Sequence, residues 1–139
     1  MSYEEKGVWT TLAVSVAVSI WYAITVAGQL QQTPAEALDF GPTLLWAIGI
    51  SIGASIVVRI VVEILTPSDS YKVDARDKAI SRRGGYVLGS VISIGMLGPL
   101  ALAILSADSF WIANAMFAVY VVGSAAGGVV QLIAYRRGF

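Results

Sequence analysis

Two side chains that carry much of protein chemistry are missing: the chain has no cysteine and no histidine. Without cysteine, disulfides and thiolate metal sites are excluded. Without histidine, the commonest general base, metal ligand and near-neutral pH switch is gone. Charge is scarce as well, at 13% of residues against the roughly 25% of a soluble domain. No glycine-rich phosphate loop is present, and no pair of carboxylates falls within an apolar run. These gaps argue against an enzyme, a resident cofactor and a metal centre. The net charge is zero, so no basic excess is left to bind nucleic acid directly.

What is abundant is apolar. Hydrophobic residues make up 57% of the 139, and the mean hydropathy is +0.76. Four runs, about 8–29, 43–65, 85–105 and 110–134, each supply the roughly 20 helical residues that a bilayer core of about 30 Å requires. Backbone groups cannot stay unpaired in hydrocarbon, and the alternation of a barrel strand is missing. The expected fold is therefore all-α: one polytopic membrane domain, a bundle of four transmembrane helices. Aromatic rings mark several span ends: Trp9, Trp46, Phe110, Trp111 and Tyr135. The first run, about 22 residues with Glu4 and Glu5 beside Lys6, is too long for a signal-peptide core of roughly 7–15 residues. A retained span is expected.

Charge is segregated along the chain. All nine Lys and Arg residues fall on one side of the four-span arrangement: Lys6, Arg59, Lys72, Arg76, Lys78, Arg82, Arg83, Arg136 and Arg137. The opposite connections carry only acids, Glu36 and Asp39 in one and Asp108 in the other. Basic residues resist translocation, so a multi-pass plasma-membrane protein with both termini cytoplasmic is expected.

Arg59 and Glu63 are the ionisable residues within an apolar run. Arg59 lies about 9 Å from the inner end of the second span at 1.5 Å per residue, within reach of snorkelling. Glu63, one turn on, shares its face, so an Arg59–Glu63 pair at the inner interface is expected. The competing reading is a proton or substrate site built on Glu63.

Small residues four apart let membrane helices approach closely. Gly49 and Gly53 form such a pair in the second span, Gly85 and Gly89 in the third, and Gly123 and Gly127 in the fourth. They predict packing within the bundle, with a homo-oligomeric contact through the fourth span as the alternative. Pro99, after Gly95-Met96-Leu97-Gly98, predicts a kink in the third span, because it cannot donate to the Gly95 carbonyl and its ring crowds it.

The central loop, residues 66–84, holds five of the nine basic residues. Asp74 predicts an N-cap with Asp77 three residues on, so the third helix starts near Ala75 and projects beyond the membrane. One reading is an anchored helix start, with Arg82 and Arg83 at the anionic headgroups of membrane lipids. A second is a docking surface for a cytoplasmic protein, presented by Tyr71, Arg76, Asp77 and Ile80. A third has the arginines holding a lipid or phosphorylated ligand.

The run Asp74-Ala-Arg-Asp-Lys-Ala-Ile-Ser-Arg-Arg-Gly84 resembles the Asp-Glu-Arg-Asp-x-x-Ile-x-x-x-Gly signature of a family of small, uncharacterised four-span bacterial membrane proteins, with Ala75 in place of the usual acid. Phe110-Trp-Ile-Ala-Asn114 and Ala134-Tyr-Arg-Arg-Gly-Phe139 resemble the corresponding stretches of actinobacterial members. In that family the genes often lie beside a small helix-turn-helix regulator. The resemblance therefore implies a bacterial inner-membrane sensor or partner role, and it supplies no activity, since none is established for the family.

Together these observations favour a non-enzymatic accessory or regulatory membrane protein, docking a cytoplasmic or membrane partner through its loop or its helix faces. The alternative is a transporter of small multidrug-type size working as an oligomer. Such a carrier wants a membrane-embedded carboxylate in its first helix, and that helix is acid-free after Glu5.

Overall fold

A computed structural model describes residues 2–68 and 70–137. Its helices are α1 (Tyr3–Leu30), α2 (Gly41–Leu65), α3 (Ala75–Gly95), α4 (Leu97–Ile104) and α5 (Ser109–Arg137), with a short 3-10 turn at Ala35–Ala37. With α3 and α4 taken as one interrupted helix, four helices are long and apolar enough to cross a membrane. The chain is an all-α four-helix bundle. Gly138 and Phe139, which close the stretch resembling the actinobacterial ending, lie outside the described residues.

Local chemistry sets the helix ends. Ser2 caps α1, its hydroxyl accepting from the Glu5 N–H at 3.1 Å. Pro42 sits in the first turn of α2, where its missing N–H costs nothing. Asp74 and Asp77 form a reciprocal capping box at the start of α3, with bonds of 2.6 and 3.2 Å. The predicted early start of the third helix is therefore observed.

The helix breaks for one residue at Met96, between α3 and α4. Pro99 has no N–H to offer the Gly95 carbonyl, while Met96 still donates to Ile92 and Leu100 to Met96. After α4, Ser106 adopts a left-handed φ of 56°. Its N–H donates to Ala103 and that of Ala107 to Leu102, the reversed bonding that closes a helix and usually employs glycine.

The neighbours are α1 with α2, α1 with α5, and α5 with both α3 and α4. The helix order is thus α2, α1, α5, α3–α4, and α2 leans chiefly on α1. Small residues decide the closest approach. A Cβ at Gly127 would stand 2.8 Å from the Gly84 carbonyl oxygen, and one at Gly84 only 2.2 Å from the Gln131 amide. Gly123 lies against Leu88 and Ile92, and Gly95 against Val119.

The predicted packing role therefore holds for Gly123 and Gly127, which meet α3 within the chain. It is corrected for Gly49, Gly53, Gly85 and Gly89, since nothing lies within 4 Å of a Cβ built at any of them. On α3 the packing face is offset by one residue, about 100° around the helix. Gly84, Leu88 and Ile92 carry it.

At the acidic end, Tyr22, Val26, Ala47 and Phe110 form the buried core. Tyr22 donates its hydroxyl to the Asn114 amide oxygen at 2.8 Å, and Asn114 donates to the Phe110 carbonyl at 2.8 Å. Tyr22 meets Phe117 edge to face at 5.1 Å, and Phe40 meets Phe110 at 5.3 Å. Asn114 thus finds a partner on another helix, the arrangement a polar amide in hydrocarbon demands.

Candidate functional site at the basic end of the bundle

Both described termini lie at one end. Lys6 near the start of α1 reaches the end of α2, and Tyr135 near the end of α5 bonds to the start of α3. The basic residues collect there.

The expected Arg59–Glu63 pair does not form. Arg59 Nη2 pairs with Glu4 Oε1 at 3.2 Å, and Glu63 Oε2 pairs with Lys6 Nζ at 3.5 Å. The physical reason is that α1 begins at Tyr3, so Glu4 and Lys6 are placed on a helix packed beside α2. Each then supplies an opposite charge across the interface, where no backbone has to bend to bring the partners together.

The surroundings fasten both pairs. Lys6 Nζ also donates to the Thr66 carbonyl, and to Ser68 Oγ at 2.9 Å. Glu63 accepts from the Ser68 N–H at 2.6 Å and from its hydroxyl at 3.1 Å. The Lys6 and Glu63 side chains are only 10% and 15% exposed. Charges so shielded from solvent interact more strongly than surface pairs. The Arg59 guanidinium lies over the Tyr3 ring at 4.3 Å, a cation–π contact, and Tyr3 meets Tyr71 edge to face at 5.3 Å. Gly7 makes room for it: a Cβ there would stand 2.8 Å from Arg59 Cζ. The neighbouring Glu63 carboxylate holds the Tyr71 phenol above the usual tyrosine range.

A second clamp joins α3 to α5. The Tyr135 hydroxyl donates to Asp77 Oδ1 at 2.9 Å, and Arg76 Nη2 donates to the Tyr135 carbonyl at 3.0 Å. Arg136 lies 5.5 Å above the Trp9 ring, tying α5 to α1. The docking surface read from the sequence therefore changes. Ile80 is fully buried and Asp77 is 8% exposed, both turned inward. Tyr71, Asp74, Arg76, Arg82 and Arg83 remain at the surface, with Arg82 5.8 Å above the Tyr86 ring.

A cleft of about 660 Å³ lies at the first clamp itself, lined by Tyr3, Arg59, Glu63 and Tyr71, and two more open beside it. One of about 370 Å³ lies among α1, α2, α3 and α5, with Glu4, Arg59, Ser81 and Gln131 on its walls. The other, about 710 Å³, is a groove between α2 and α5 floored by α1. Thr11 and Ser124 line both, so the two adjoin. Among the described residues no group of three acidic, histidine or cysteine side chains converges to hold a metal.

The residues the sequence reading missed are Glu4, Lys6, Gly7 and Gly84. A signal existed for the first three: Ser2 followed by Glu5 is a cap pattern, which turns the flanking charges into helix residues.

The chain matches no protein-family model, no curated protein and no solved structure.

Proposed function

We propose that the chain is a non-enzymatic, accessory or regulatory protein of the plasma membrane, with both termini cytoplasmic, that associates with a second membrane protein through its helix faces. One observation carries this reading. The Gly49–Gly53 face of α2 has the small-residue spacing of a helix interface and meets nothing within 4 Å. On α3, Gly89 is open in the same way, whereas Gly85 lines the 370 Å³ cleft. The orientation rests on the nine basic residues at one end. The resemblance of the Asp74–Gly84 stretch also points to a partner role.

The transporter alternative has less support. No carboxylate lines the α2–α5 groove, and both Arg59 and Glu63 are held in pairs with α1. Because the chain has no cysteine, one introduced cysteine reports without ambiguity. Gly53→Cys, crosslinked in native membranes, is expected to capture a distinct membrane protein, and Gly53→Leu to abolish that capture. Crosslinks only between copies of the chain, together with uptake of a solute by proteoliposomes, would replace the accessory reading with the transporter one.

A further inference from the structure

Helix α3 starts about three turns before its apolar run, and those turns carry cations that no acid meets. Lys78, Arg82 and Tyr86 follow one another at intervals of four residues, so they share one face, and all three are exposed. Arg83 is turned about 100° from Arg82 and lies off that face. The acids of this helix start are committed elsewhere. Asp74 and Asp77 accept from each other's backbone N–H, and Asp77 also accepts from Tyr135. Among the described residues the ion pairs are Lys6–Glu63 and Arg59–Glu4, so neither Lys78 nor Arg82 has a counter-charge within 4 Å.

The neighbours of these two cations belong at a membrane surface. The Arg82 guanidinium lies 5.8 Å above the Tyr86 ring. Tyr86 stands in the first turn of the apolar run, the headgroup level that tyrosine prefers, and it is 65% exposed. Three residues further on, Gly89 leaves bare backbone, with nothing within 4 Å of a Cβ built there. Lys78 and Arg82 are about 6 Å apart along the helix axis, so their long side chains can close on one phosphate.

We infer that this face of α3 binds one anionic glycerophospholipid, with its phosphate between Lys78 and Arg82 and an acyl chain over Gly89. The Tyr86 hydroxyl donates to the same phosphate. Charge complementarity selects the occupant. Two uncompensated cations favour a headgroup with a net negative charge, whereas a zwitterionic lipid brings an ammonium that they repel. A soluble phosphate lacks the chain that the bare backbone receives. The inference is separate from the partner contact, since the Gly49–Gly53 face of α2 remains open to a protein.

The test is native mass spectrometry of the full chain released from detergent, titrated with phosphatidylglycerol and with phosphatidylcholine of the same acyl chains. One phosphatidylglycerol per chain is expected, held roughly tenfold or more tighter than phosphatidylcholine, as two basic residues near an anionic headgroup imply. Lys78→Gln combined with Arg82→Gln is expected to abolish that preference. Lys72→Gln combined with Arg137→Gln removes as much charge from the basic end, away from α3, and should leave the preference intact. Tyr86→Phe should weaken phosphatidylglycerol roughly two- to tenfold, the worth of one hydrogen bond. Excess glycerol 1-phosphate should not displace the lipid, and circular dichroism checks that each variant has folded. Equal retention of the two lipids, or a preference that survives the Lys78 and Arg82 changes, would overturn the assignment. So would equal loss in the Lys72 and Arg137 variant, displacement by glycerol 1-phosphate, or a second copy of the chain bound in place of the lipid. None of these outcomes touches the Gly53 crosslinking result.

Discussion

Helices α2 and α5 are both long and apolar enough to span a membrane, and α2 is the more apolar of the two. In a soluble protein the more apolar helix would be the more buried. The opposite holds here: α2 buries a single residue, Ala47, while α5 buries Phe110, Gly123, Gly127, Leu132 and Ala134. When lipid is the solvent, an isoleucine gains nothing by leaving it. What draws helices together is close backbone approach and polar groups needing partners. Helix α5 offers both, through Gly123, Gly127 and Asn114, and it meets three other helices. Helix α2 has equivalent glycines that no neighbour covers. It is fastened at its ends, by Ala47 in the core and by Arg59 and Glu63 at the charged clamps.

The sharpest way to break this comparison is to place one substitution in both helices. Gly127→Leu drives a side chain into the Gly84 carbonyl and should cost the isolated protein at least the upper part of the overpacking range, about 1–3 kcal/mol. Gly53→Leu meets open space and should change stability by no more than about 0.5 kcal/mol. Reversible unfolding in mixed micelles measures both. Equal losses would mean that α2 is packed as α5 is.

A smaller effect is expected at the clamp. Lys6→Ala removes the counter-charge of Glu63 and the tie to the Thr66 carbonyl. It should lower the unfolding midpoint more than Lys78→Ala does, because Lys78 sits on the exposed surface of α3. Limited proteolysis should then cut first near residues 66–74, the segment that Lys6 helps to hold. If both alanine variants behave alike, the clamp does not secure α2.

The smallest effect belongs to Gly49→Ala. Alanine is the better helix former and finds no obstacle there, so stability should hold or rise by no more than about 0.5 kcal/mol. The same change at Gly127 should be a loss. Opposite signs for one substitution would place the two glycine faces in different surroundings.

Much of the fold was legible because it depends on local pattern. The spans follow from apolar length, the start of α3 from Asp74 and Asp77, and the break near Met96 from Pro99. Neighbourhood was not legible. Gly49–Gly53 and Gly123–Gly127 are the same motif, and nothing within either helix says which one another helix will cover. Gly84 and Gly85 adjoin in sequence, yet they face directions about 100° apart, and only the position of α5 selects between them. The candidate site shows the same limit. Spacing put Arg59 and Glu63 on one face, but their partners Glu4 and Lys6 lie more than fifty residues away in the chain. Asp77 and Ile80 read as surface in a charged loop, and they were turned inward by Tyr135 and the packing of α5.

The central claim is that α2 lies at the edge of the bundle, bathed in lipid on most sides, while α5 forms its centre. A photoactivatable reagent carried on acyl chains, reacted with the purified protein in bilayers and mapped by peptide mass spectrometry, tests this directly. The account predicts labelling around most of α2, at Leu45, Ile52, Ile60 and Ile64, but on α5 only along a narrow stripe at Val122, Val129 and Ile133 and at the groove residues Met116 and Tyr120. Protection of α2 to the same narrow stripe, or labelling of Phe110 and Leu132, would contradict it.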